Sequence, residues 1–299
     1  MSIIVLGTVA LDTVKTPLGS KNNLLGGSAA HFSMSARLFT QVNLVAIIGE
    51  DFPQPYIQFL HQRGIVLTSL MQEKGKTFKW EGSYEGDLNT ALTHHTELGV
   101  LTIFKPRITA AQRGIKNIFL ANVDPDIQRH LLTHMQNPHL VGLDSMNYWI
   151  QHKRSALKRV LKKIDIFVAN DQEARSLSGE QNLIKAAQCL SSYGPKMVLI
   201  KKGEHGVLFY RKKQTFALPA YPIRKVVDPT GAGDTFAGGF MGYLAKARKL
   251  DERTIKRALA YGTIAASFNV EDFGLYRTSR LTHADLQNRL RKFKNCFHL

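Results

Sequence analysis

Residues 225–245 read KVVDPTGAGDTFAGGFMGYLA, an order of residue types that suits a strand, a tight turn and then a helix. Val226 and Val227 are expected to end a strand, and Pro229 biases Asp228 towards an extended backbone. Gly231, Ala232 and Gly233 have side chains small enough to leave backbone N–H groups open to an anion. Phe236, Phe240, Met241 and Leu244 then recur at helical spacing, which predicts a helix over 232–247 with one apolar stripe. The turn therefore falls at a helix N-terminus, where unpaired N–H groups and the helix dipole both favour phosphate.

A carboxylate at Asp234 would repel a static phosphate. It gains a chemical role if it takes the proton of an attacking hydroxyl, because the nucleophile becomes acidic late in a loose phosphoryl-transfer transition state. Anion-stabilising amides beside such a base describe a phosphotransferase. The plainer alternative is a glycine-rich strand-to-helix turn with Asp in the first helical turn. Neither G-x-x-x-x-G-K-[ST] nor G-x-S-x-G occurs in the sequence, which removes Walker-loop and nucleophile-elbow chemistry. His130 and His134 stand one helical turn apart. With no Glu between them and no third ligand, they read as surface histidines rather than a metal site.

Outward from this segment, short apolar runs alternate with helical patterns. Strands are predicted over 3–7, 42–48, 118–120, 140–143, 166–168 and 197–200. Helices are predicted over 27–39, 54–63, 126–136, 152–164, 171–178, 182–193 and 252–268. That alternation implies a mostly parallel sheet covered on both faces, with functional residues just after the strands. The stretch 74–100 breaks the rhythm: Phe78, Trp80 and Tyr84 alternate between glycines, as in a small antiparallel flap. No Pro- or Ser-rich linker divides the chain, so residues 1–299 are expected to form one domain with a β lid over about 74–100, and 13–24 as a further candidate part of it.

Asp228-Pro-Thr-Gly-Ala-Gly-Asp234 resembles the C-terminal signature of the PfkB, or ribokinase-like, family of sugar and nucleoside kinases. Four further stretches fall in that family's order: Gly7-Thr-Val-Ala-Leu-Asp12, Gly26-Gly27-Ser-Ala-Ala-His31, Asn170-Asp-Gln-Glu173 and Lys202-Gly203-Glu-His-Gly206. The resemblance spans essentially the whole chain. It implies a three-layer α/β/α fold with a mostly parallel sheet and a small β lid. It also implies transfer of the γ-phosphoryl group of ATP to a hydroxyl of a sugar, polyol or nucleoside. On that resemblance Asp234 is the general base, and Gly231, Ala232 and Gly233 form the anion hole. Asp12, Gly26, Gly27, His31 and Asn122 surround the acceptor, while Lys201, Lys202, Gly203, Gly206, Thr230 and Gly262 surround the nucleotide. Asn170 and Glu173 organise Mg²⁺ through water, and carbonyls near Asp228 and Thr230 are candidates for K⁺.

The residues support these roles on their own chemistry, each beside a plainer alternative. A carboxylate accepting two hydroxyls is a common way to hold a polyol, though Asp12 also reads as a turn residue. Asn170 and Glu173 can share one helical face and a hydrated Mg²⁺. They also read as a capping box, with Asn170 as N-cap and Glu173 as N3, and the two roles are compatible. Lys201 and Lys202 bring charge to the nucleotide or form a solvated pair. Two departures bear on the acceptor: His31 stands where related sugar kinases usually have Asn, and Lys201 where Thr is common. Asn122 and Asp124 follow a central strand as substrate contacts or turn caps, and Asp144 to Asn147 follow the next. These residues single out no acceptor.

Composition sets the outer limits. The chain has 299 residues, 40 Lys or Arg and 23 Asp or Glu, hence +17, with 44% hydrophobic residues. That is a globular composition, neither disordered nor fibrous. Two cysteines, Cys189 and Cys296, are too few for a disulfide framework and fit a reduced, cytoplasmic setting. No apolar run approaches a membrane span, and MSIIVLGTVALD reads as a buried strand rather than a signal peptide. Between Lys153 and Lys163 the basic residues take the positions that Ala156, Leu157, Val160, Leu161 and Ile164 leave free, as on a solvated helix face. A nucleic-acid partner is therefore disfavoured, and a monomer or homodimer acting on a small molecule is expected. The rival from another class is a nucleotide-binding regulator on a kinase scaffold, which would have no use for a base at Asp234.

Overall fold

The computed structural model describes residues 1–86, 88–212 and 214–296, so residue 87 of the expected flap lies outside the described residues. In chain order the elements begin with β1 (Ser2–Leu6), β2 (Ala10–Thr16), β3 (Gly19–Gly26), α1 (Ser28–Ala36), β4 (Gln41–Gly49) and α2 (Gln54–Gln62). Next come β5 (Val66–Glu73), β6 (Lys79–Tyr84), β7 (Ala91–Glu97), α3 (Ala110–Arg113), β8 (Asn117–Leu120) and α4 (Pro125–His134). They continue through β9 (Leu140–Asp144), α5 (Asn147–His152), α6 (Arg154–Leu161), β10 (Ile166–Asn170), α7 (Asp171–Ser178) and α8 (Leu183–Ser192). The last are β11 (Met197–Lys201), β12 (Val207–Arg211), β13 (Gln214–Leu218), α9 (Ala232–Ala245), α10 (Glu252–Asn269) and α11 (His283–Asn295).

The large sheet has the order β13-β12-β11-β10-β9-β8-β1-β4-β5. Strands β11 to β5 in that order run parallel, and β12 and β13 close one edge antiparallel. Its central strands, β1, β4 and β8 to β11, are apolar on both faces because both faces are covered there. Ile3 and Val5 of β1 point into one core with Phe32, Phe119, Phe240, Met241 and Leu244. Ile4 and Leu6 point into the other with Leu120, Leu143, Leu157, Leu161 and Leu190. Phe32 of α1 stacks on Phe119 of β8 with ring centroids 4.5 Å apart. Each such buried aromatic contributes roughly 2–3 kcal/mol through area removed from water. This is the three-layer ribokinase-like arrangement.

The second sheet has the order β3-β2-β6-β7. It draws β6 and β7 from 74–100, and β2 and β3 from the segment just after β1. Its middle pair, β2 and β6, runs parallel, so it is antiparallel only in its two outer pairs. Tyr84 of β6 is buried with Val14, Leu24 and Phe273 beneath this sheet.

Two local expectations are corrected. Val226 and Val227 do not end a strand: residues 219–230 carry no strand, and the Val227 N–H donates to the Val270 carbonyl at 2.7 Å. The sheet already ends at β13, so this segment crosses the end of α10 instead of joining an edge. The helix expected over 152–164 is broken at Lys153 into α5 and α6, and Lys153 has φ −131°. Its ammonium is held by Asp124 and Asp126 at 2.7 and 3.0 Å. In α6 the residues Ala156, Leu157, Val160 and Leu161 are buried as the spacing requires, which leaves the basic face outward.

Candidate active site

The parallel strands all point their carboxyl ends at one edge, which concentrates the polar residues that follow them. Asp144 ends β9, Asn170 ends β10 and Lys201 ends β11, while Asn122 follows β8 and Asp12 lies on β2 just beyond β1. The N-terminus of α9 enters at the same edge. A larger hollow of about 930 Å³ sits at the opposite edge, lined by Ser2, Asn117 and Leu140, where β1, β8 and β9 begin. It gathers no acid–base cluster.

The turn before α9 is built by long-range hydrogen bonds. Asp228 is fully buried, with Oδ1 accepting from the Thr230 N–H at 2.8 Å and Oδ2 from the Gly274 N–H at 3.0 Å. Burial pushes its carboxyl up and these amides pull it back. Asn269, at the end of α10, donates Nδ2 to the Thr230 carbonyl at 2.7 Å. Its Oδ1 accepts from Thr235 Oγ1 at 2.9 Å and faces His31 Nδ1 at 3.0 Å. Gly231 has φ +72°, and a Cβ there would overlap the His31 ring, so this position requires glycine twice over. The Ala232 N–H folds back onto the Pro229 carbonyl at 3.1 Å. No described residue accepts from the Gly231 or Gly233 N–H, so these two are the free donors of the expected anion hole.

Asp234 lies partly buried in the first turn of α9. Burial, and then the nearby Asp144 carboxylate, push its carboxyl up to about 7, against the pull of the Lys201 ammonium. Lys201 Nζ meets Asp144 Oδ2 at 2.8 Å. Burial works against that ammonium, but Asp144 and Glu173 beside it keep it protonated. Burial also lifts Glu173 to about 8, reinforced by Asp144. Three carboxyl groups thus gather around one ammonium. The capping-box alternative is present: Asn170 Oδ1 accepts from the Glu173 N–H and Glu173 Oε2 from the Asn170 N–H, both at 2.7 Å. The other oxygen of Glu173 takes no hydrogen bond among the described residues.

Among the residues expected to surround the acceptor, Asp12 is 5% exposed and takes the Gly27 N–H on Oδ2 at 3.3 Å. Burial lifts its carboxyl to about 7, and repulsion from Asp228 and Asp234 adds to the rise. Gly27, with φ +92°, starts α1, and a Cβ there would sit 2.5 Å from the Thr8 carbonyl oxygen. Gly26 pairs with Ala10 across β2 and β3. His31 is neutral, pushed down to about 4 by burial. Its Nδ1 carries the proton towards Asn269, and its Nε2 is buried without a partner. Asn122 offers less than expected, since its Oδ1 accepts from Trp149 Nε1 at 3.0 Å and its Nδ2 faces Met146 Sδ at 3.1 Å. Asp124 is a turn cap, accepting from the Asp126 N–H at 2.9 Å.

Where the nucleotide is expected there is a cleft of about 440 Å³ lined by Lys201, Gly203, Gly206, Gly233, Thr263 and Ser267 among others. Lys202 contributes its backbone: its N–H donates to the Gly206 carbonyl at 2.7 Å and closes the 202–206 turn. Thr230 sits at the lid, with Oγ1 donating to Tyr84 Oη at 3.3 Å. Gly262 does not line the cleft. It lies where α10 meets α9, and a Cβ there would be 2.8 Å from the Phe236 carbonyl oxygen. Sequence reasoning missed Asn269, placed Tyr84 in the flap without a contact to the turn, and named Asp144 without a role. Tyr148 and Trp149, which with Met146 form a partly exposed aromatic and thioether cluster beside Asn122, were also missed.

Comparisons with known proteins bear on the family and the fold. The model of the pfkB family of carbohydrate kinases matches residues 11–281. A cytidine kinase of Thermococcus kodakarensis is 30% identical over 258 residues, covering 84% of this chain and 91% of that protein. A nucleoside kinase of Methanothermobacter thermautotrophicus is 27% identical over 282 residues, covering 91% and 86%. Among solved structures, the nucleoside kinase of Methanocaldococcus jannaschii superposes with a TM-score of 0.79 at 22% identity, covering 97% of this chain and 98% of that one.

Proposed function

The chain belongs to the pfkB family of carbohydrate kinases, phosphotransferases with an alcohol acceptor, and we propose that it transfers the γ-phosphoryl group of ATP to a hydroxyl of a nucleoside. The observation that carries the mechanism is Asp234: a carboxylate held near pH 7 beside the free Gly231 and Gly233 amides and the Lys201 ammonium. A base poised at the operating pH is ionised enough to accept a proton and basic enough to hold it.

Asp12 accepts hydroxyls of the acceptor and orients it. As the acceptor oxygen bonds to the γ-phosphorus, its proton passes to Asp234, and ADP departs with the electrons of the broken P–O bond. The Gly231 and Gly233 N–H groups, at the positive end of α9, hold charge on the phosphoryl oxygens, as amides preorganised before the reaction do. Tyr84, touching Thr230 from the lid, shuts water out of the site. Asn170 and Glu173 would hold Mg²⁺ through water, and the ion would supply charge neutralisation for the triphosphate. The Thr230 carbonyl already accepts from Asn269, so K⁺ is assigned no step. A nucleoside is favoured over a free sugar by the relatives' names and by Met146, Tyr148 and Trp149, which offer a base a flat apolar surface near Asn122. The unpaired Cys189 and Cys296 suit a reducing, cytoplasmic setting.

Asp234→Asn should fold and bind ATP by calorimetry while turnover falls by about 10²–10⁴-fold. Turnover is measured with cytidine, inosine, adenosine, ribose and fructose as acceptors. Undiminished turnover in the variant removes Asp234 from the mechanism. Exclusive use of a free sugar removes the nucleoside.

A further inference from the structure

Lys201 and Asp144 meet at the centre of the site, and neither residue type in that position is explained by capping or packing. The Lys201 side chain is 18% exposed and that of Asp144 5% exposed. They come from the ends of β11 and β9, with β10 between them. Asp144 is itself fixed, because its Oδ1 accepts the Ser145 N–H at 2.7 Å. A Cβ placed on Gly233 would lie 2.7 Å from Lys201 Nζ, so the ammonium rests against the very turn whose amides are free. Lys201 lines the nucleotide cleft, and Asp144 accepts only one of the three hydrogens its ammonium can donate. The other two have no protein partner among the described residues. A buried ammonium keeps unused donors at a cost unless a ligand takes them, and its compact charge suits phosphate.

We propose that Asp144 is a positioning residue that holds the Lys201 ammonium over Gly233, where the ammonium binds the γ-phosphate and stays with it through transfer. This rests on the kinase reading of the same site. The pair is then a functional device and not a clamp between strands. A buried ion pair is in any case weak support for stability, since the desolvation of both charges offsets most of their attraction.

Two readouts separate these roles, one of which needs no acceptor. Calorimetry compares the affinity for a non-hydrolysable ATP analogue with that for ADP. Kinetics gives kcat and KM separately. Lys201→Met should lose most of the preference for the triphosphate, and kcat should fall about 10²-fold, as on removing one donor from an anion hole. Asp144→Asn should lose part of both. In the double variant the triphosphate preference should be no lower than in Lys201→Met alone, because Asp144 reaches the phosphate only through Lys201; kcat is left out of this comparison, since Asp144 also acts on the Asp234 carboxyl. Thermal denaturation checks that each variant folds. If Lys201→Met is unstable, Lys201→Gln and Asp144→Asn carry the same comparison.

An unchanged triphosphate preference in a folded Lys201 variant overturns the proposal, as do losses of that preference that simply add in the double variant. The kinase reading fails differently: the wild-type protein keeps its preference for the triphosphate, lost in Lys201→Met, yet phosphorylates no acceptor.

Discussion

His31 and Asn269, which are 238 residues apart in the chain, lie with Nδ1 and Oδ1 at 3.0 Å. That contact joins the first helix of the acceptor side to the end of α10. Through the same amide, Asn269 also holds the Thr230 carbonyl and the Thr235 hydroxyl. One side chain thereby sets the shape of the turn that carries Asp234.

Asn269→Ala should accordingly cost more than a single hydrogen bond. It leaves a buried imidazole N–H, a hydroxyl and a carbonyl without their partner, each worth about 1 kcal/mol or more. We expect a loss of about 2–4 kcal/mol in urea unfolding and a drop in turnover of more than about tenfold. A variant within about 0.5 kcal/mol of wild type would mean that the turn holds itself.

Asp12 and Asp234 both sit at about 7 in the absence of ligand. Each must be a carboxylate to accept a proton or hydroxyl hydrogens, and lowering the pH protonates both. The plot of log kcat/KM should therefore fall below pH about 7 with a slope approaching two. Asp12→Asn should reduce the limb to one group. A profile flat from pH 5 to 8 contradicts both assignments.

The same upward shift is a stability cost. Asp234 ionises near 3.8 when unfolded and near 7 when folded, so the folded state gains nothing from ionisation between those values. Its penalty starts as pH rises past about 4 and is complete above about 7. Asp234→Asn should thus stabilise the ligand-free protein at pH 8 by about 1–3 kcal/mol, the full shift being discounted for the solvent that reaches this partly exposed group. The gain should vanish at pH 4. Equal stability of the two proteins at pH 8 shows that water reaches the carboxylate freely.

Much of the molecule was legible in advance because its signals are local. The helix over 171–178 matches α7 residue for residue, since a capping box marks its start and Gly179, with φ +83°, its end. The apolar stripe of Phe236, Phe240, Met241 and Leu244 lies in the core as its spacing requires. What escaped were β5 and the edge hairpin of β12 and β13, with weak periodicity, while β3 was anticipated only as a candidate part of the lid. Val226 and Val227 looked like a strand because β-branched pairs do. Strand formation needs a partner strand, and here the Val227 N–H is taken by the Val270 carbonyl at the end of α10.

The sequence by itself determined the alternation that makes a parallel sheet, and the small residues that leave the turn before α9 open to an anion. Both are properties of consecutive residues, so they survive without knowledge of the fold. Only the tertiary structure decided that Lys201 pairs with Asp144, that Asn269 braces Thr230, Thr235 and His31, and that Tyr84 reaches Thr230 from the lid. The shifted carboxyls belong there too, because burial and neighbouring charge arise only when distant strand ends converge. A residue's type states which bonds it can make; the packing of the sheet states which partner it finds and how much water remains.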